Sequence, residues 1–109
     1  MSWLLVDGNP VASAESINGP VKKMVGLLGK KDYDGAAVFS RLKSVHTVGM
    51  KFAVDVAFVD KQDTVIKIYS LDPYRFVFFV PNSKMVIEAQ AGAFYRWSLK
   101  PGSKIEFRQ

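Results

Sequence analysis

Val54-Asp55-Val56-Ala57-Phe58-Val59-Asp60-Lys61-Gln62-Asp63-Thr64-Val65-Ile66-Lys67-Ile68-Tyr69-Ser70 reads as two runs rich in β-branched and aromatic residues, joined by a polar turn. Such side chains fit a pleated, half-buried surface, whereas Lys61-Gln62-Asp63 does not. The stretch predicts a hairpin, with strands over Val54 to Asp60 and Thr64 to Ser70. Successive side chains of a strand point to opposite faces. Val54, Val56 and Phe58 therefore share one face, and Asp55, Ala57 and Val59 share the other. A carboxylate inside so apolar a run must find a partner or bear a desolvation cost.

Outward from the hairpin, further short strands are predicted over Trp3 to Val6, Val11 to Ile17, Ala36 to Ser40, Lys84 to Gln90 and Lys104 to Phe107. Phe76-Val-Phe-Phe-Val80 is wholly apolar between Pro73 and Pro81, which predicts a buried strand; at a sheet edge it would be a surface for self-association. Two short helices are expected. Val21, Met24, Val25 and Leu28 follow Asn18-Gly19-Pro20 at helical spacing, with Gly29 as the stop. The second, Ala91 to Leu99, presents Phe94, Tyr95 and Trp97. Lys100-Pro101-Gly102-Ser103 places proline and glycine where a type II turn wants them. The fold class is α+β, mostly antiparallel β, in a compact barrel-like sheet that protects its edges.

The chain of 109 residues is read as a single domain over 1–109, a length able to bury one core. It contains no cysteine, which excludes disulfides, thiolate nucleophiles and cysteine-ligated metals. No apolar stretch approaches the ~18 residues of a membrane span, and the N-terminus lacks a basic leader, so the expectation is a soluble, cytoplasmic protein. The net charge of +5 lies in the ordinary range of about 2 to 8 for a small soluble domain. The one local cluster is Lys22, Lys23, Lys30 and Lys31. Weak nucleic-acid binding through this basic surface is the third-ranked reading.

His46-Thr47-Val48-Gly49-Met50-Lys51-Phe52-Ala53 precedes the hairpin and holds the only histidine. One imidazole with Asp55 and Glu88 could serve as general acid and base, or hold a hard divalent ion. Against this stand the absence of a second histidine, of an H-E-x-x-H pattern and of a Gly-x-Ser-x-Gly elbow. A polar network that locks the His46–Met50 loop through Asp55 explains the same residues without a ligand. Met50 fits core or a cleft wall. Arg96 with Trp97 fits an anion clamp, or a plug at a barrel end covered by the arginine stem.

Three ordered motifs resemble those of one prokaryotic family. Lys22 to Lys30 (KKMVGLLGK) is similar to its opening basic-Gly-Leu-Leu-Gly-basic helix. His46 to Asp60 is similar to its signature H-T-x-G-M-x-F-P-I-D-x-x-F-L-D. Val86 to Gly92 and Leu99 to Ile105 match its C-terminal L-E-x-x-A-G and G-L-x-x-G-D-x-V elements. The family is domain of unknown function 192, and the likeness runs from about Val21 to Phe107. It implies a compact β-rich fold, carries no established activity, and marks His46, Gly49, Met50, Asp55, Glu88 and Gly92 as signature positions. Ala53 stands at the family's usual proline, Ser98 at its glycine and Ser103 at its aspartate.

The function expected from these readings is that of a small, prokaryotic, non-enzymatic domain binding a small molecule or a protein. The candidate ligand-binding residues are His46, Thr47, Gly49, Met50, Asp55, Glu88, Arg96 and Trp97, with no cofactor and no metal. The alternative is a hydrolase-like or metal-assisted enzyme built on His46 with Asp55 or Glu88.

Overall fold

The computed structural model describes residues 2–17, 35–41, 43–77 and 79–109. Strands β1 (Ser2–Val6), β2 (Asn9–Ile17), β3 (Ala36–Ser40), β4 (Val45–His46), β5 (Val54–Val59), β6 (Val65–Leu71), β7 (Phe76–Val77), β8 (Met85–Gln90) and β9 (Ile105–Arg108) are joined by one short helix, α1 (Ala93–Arg96). Seven of the strands form one sheet in the order β6-β5-β8-β3-β2-β1-β9, and β4 pairs with β7 in a separate ribbon. All neighbours in the large sheet are antiparallel except β2 and β3, which run parallel.

The sheet curls until its two edge strands meet at one end. Thr64, just before β6, bridges to Lys104, just before β9. Around that bridge the Val65 amide donates to the Ser103 carbonyl at 2.9 Å, and the Ile105 amide to the Asp63 carbonyl at 2.8 Å. The turn Lys100–Ser103 brings β9 to this seam. Gly102 takes φ 94, the left-handed value a type II turn requires at its third position. Closure of this kind removes open strand edges where it occurs.

Both faces of the sheet are buried. The inner face carries Leu4, Val6, Val38, Ala57, Val59, Ile87, Ala89 and Ile105, with Phe94 and Leu99 from the α1 segment packed against them. The outer face carries Ala37, Phe39, Val54, Val56, Phe58, Leu71 and Val86, and is covered by Val45, Met50 and Val80. The expected alternation in β5 holds, yet every one of its six residues is buried, because each face has its own cover.

Three expectations are corrected. The second helix spans four residues, not nine, since Ser98 (φ 56) already leaves the helical region. Phe76 to Val80 is not a buried strand. Only Phe76–Val77 pairs, and Phe76 and Phe79 are more than half exposed. Hydrogen bonding explains the difference: among the described residues two pairs join this segment to β4, and the Phe79 amide goes to the Ser44 hydroxyl at 2.8 Å instead. Among the described residues there is thus one helix, not two. The expected first helix and the lysines at 22, 23, 30 and 31 lie outside the described residues. Among those described, no helix is long and apolar enough to cross a membrane.

Candidate functional site

The eight candidate residues separate onto the two faces of the sheet. Asp55 pairs with Ala89 and Glu88 pairs with Val56, so the two carboxylates sit one step apart on adjacent strands. That single step turns their side chains to opposite faces. They share no site.

Asp55 belongs to the inner face. Its Oδ2 accepts from the Gly92 amide at 2.9 Å and from the Phe94 amide at 3.1 Å. These are orphan donors of the first turn of α1, which has no capping side chain of its own. Asp55 is a cap supplied from a distant strand. Gly92 takes φ 97, a value a side chain rarely adopts, and this delivers its amide to the carboxylate. The expectation that Asp55 locks the His46–Met50 loop is corrected: its partners lie 37 and 39 residues away, after β8. Trp97 packs against the inner cluster with its ring 5.8 Å from Phe94, and Arg96 is exposed beside Gly92. Both stand at the α1 end of the inner face, with Asp55 and away from β4.

The His46–Met50 segment belongs to the outer cover. Thr47 is fully buried, and its hydroxyl donates to the Asp72 carbonyl at 2.7 Å and accepts from the Arg75 amide at 2.7 Å. Its own amide donates to the Arg75 carbonyl, and its carbonyl accepts from Tyr74 and Met50. Thr47 therefore ties the turn that follows β4 to the turn that precedes β7. Gly49, at φ 83, makes the tight turn that sends Met50 back into the outer cluster. His46 points outward. Its ring lies 6.1 Å from that of Phe76, and Nδ1 accepts from the Val48 amide at 3.3 Å. Val48, Tyr74, Phe76 and Phe79 are exposed around it.

Glu88 lies on the outer face of the sheet. In the sheet it is flanked by Ala37 on β3 and Val56 on β5, both fully buried members of the outer cluster. Its relative exposure is 8 %. No hydrogen bond or ion pair to its carboxyl occurs among the described residues. Burial alone pushes its pKa from 4.5 up to about 7. The sequence offered Glu88 as a signature position and as a possible partner of His46, and nothing in its local pattern foretold so raised a pKa. Among the described residues no three histidine or acidic side chains gather as a metal site would require.

Comparison with known proteins fits this geometry. The profile of DUF192, described as "Uncharacterized ACR", matches residues 4–107. The chain belongs to the DUF192 family. No curated protein matches it. Among solved structures, a protein of unknown function from Novosphingobium aromaticivorans DSM 12444 superposes with a TM-score of 0.84 at 20% identity, over 95% of this chain and 83% of that one. A Sinorhizobium meliloti 1021 protein, provisionally described as a transcription regulator, gives 0.81 at 17% identity, over 97% and 91%. At such identities the likeness is one of fold.

Proposed function

We propose that this DUF192 chain is a non-enzymatic binding domain whose ligand reaches Glu88 between the outer face of the sheet and the β4–β7 cover. The observation that carries the reading is the Glu88 carboxyl itself, buried among Ala37 and Val56 with no partner among the described residues. A buried acid in an apolar wall is suited to receive a hydrogen-bond donor or a cationic nitrogen. Met50 supplies apolar contact, and Thr47 and Gly49 set the cover that frames the opening. The strand pairing of the cover is short, two residues on each side, and its remaining ties centre on Thr47.

The enzyme reading is weaker. It requires His46 to work with Asp55 or Glu88, but Asp55 is committed to two amides on the other face and His46 points outward. The test is a thermal-shift screen of primary amines and guanidinium compounds carrying an apolar body, on the wild type and Glu88→Gln. Saturable stabilisation of the wild type that Glu88→Gln loses is the expected result. Equal shifts in both proteins, or none in either, would overturn the proposal.

A further inference from the structure

At the end of the molecule where the β5–β6 hairpin turns, cations collect in one groove. Arg41 and Lys43 follow β3, Lys61 lies in the hairpin turn, and Lys84 precedes β8; together they line an open groove of about 660 Å³. None of the four makes an ion pair among the described residues, where the one salt bridge joins Arg108 to Glu106. The single acid on the lining is Asp60. Its Oδ1 is occupied by the amides of Gln62 at 2.9 Å and Thr64 at 3.0 Å, which fold the turn. Lys43 Nζ is held in place by the Ser83 carbonyl at 3.0 Å. Arg41 and Asn82, both on the lining, hold left-handed backbone at φ 60 and φ 68. Strain of this kind persists where the surroundings fix it, and it gathers at ligand clamps.

Four like charges in one recess repel each other, and the walls concentrate their field. A monovalent anion relieves one of them. A ligand with several negative groups in a row relieves all four. The volume suits a molecule of nucleotide size rather than a polymer groove running across the surface.

We propose that this groove binds a small ligand bearing a chain of two or more phosphoryl groups. The site is separate from Glu88 and does not rest on the reading above. Isothermal titration with inorganic triphosphate tests it, alongside inorganic monophosphate, a single-stranded oligonucleotide, the double variant Lys61→Gln/Lys84→Gln and the control Lys51→Gln/Arg75→Gln. All four substituted side chains are exposed, and circular dichroism verifies the fold of each variant. The expected result is saturable one-to-one binding of triphosphate, weakened by salt, with monophosphate binding far more weakly. The groove variant should lose roughly tenfold or more in affinity while the control stays within about twofold. Absence of triphosphate binding overturns the proposal. So does an equal loss in the control, or oligonucleotide binding that triphosphate does not displace.

Discussion

Asp55 and Glu88 are buried to nearly the same degree, 7 % and 8 % exposed, on neighbouring strands of one sheet. The inner-face acid has two backbone amides; the outer-face acid has none among the described residues. The contrast teaches that burial by itself does not define a carboxylate's role. Asp55 closes a structural account, because α1 needs an acceptor and β5 provides it. Glu88 leaves an account open, because its strand neighbours Ala37 and Val56 bring apolar carbon to it and the described residues supply no donor.

The contrast can be broken most sharply at Asp55. Replacement by alanine strands two amides at the start of α1, and the expected loss is about 3 to 4 kcal/mol, with Asp55→Asn recovering roughly half of it. Urea denaturation measures this. A loss below about 1 kcal/mol would mean that the cap is dispensable and that the two acids are alike.

Next in size is the pH response of Glu88. Its folded-state pKa, about 7, lies above the ordinary 4.5, so the native state holds the proton more tightly than the unfolded chain. The stability this contributes is fully present below pH 4.5 and is lost as pH rises through about 7. The difference between 4.5 and about 7 corresponds to about 3 kcal/mol. Unfolding of the wild type and Glu88→Gln across this window should diverge by that order, the variant gaining relative stability at high pH. Parallel curves would show that Glu88 is solvated or paired after all.

The smallest effect concerns the cover. Thr47→Val keeps the shape of a buried side chain and removes its hydroxyl, leaving the Arg75 amide unmet; the expected cost is about 2 kcal/mol. Hydrogen exchange should then report faster opening at residues 45–50 and 74–77, with β5 and β8 protected as before. Uniform loss of protection across the sheet would mean that cover and sheet open as one unit.

Much of this fold was legible in the chain. Alternation gave β5, β6 and β8, including the placing of Ile87 and Ala89 opposite to Val86 and Glu88. Pro101-Gly102 gave its turn. Periodicity says which residues share a face but not what covers it, so the full burial of β5 was out of reach. The partner of Asp55 was misread because it lies 37 residues on, while the nearer His46–Met50 loop offered plausible donors. Phe76 to Val80 was misread because apolarity was taken for burial. The chain in fact turns out of the ribbon at Phe79, where φ is 43 and the ring is 64 % exposed. Parallel pairing of β2 with β3 has no signature in the residues of either strand.

The seam at Thr64 and Lys104 has a consequence in time. The Lys104 amide also donates to the Asp7 carboxylate at 2.8 Å, so segments at residues 7, 64 and 104 converge at one seam. On a ribosome, the β5–β6 hairpin can form as soon as it emerges, but the sheet cannot fasten until the last strand has left the exit tunnel. Until then its rims stay unlatched, and that interval is when a nascent chain of this topology depends most on protection from its neighbours.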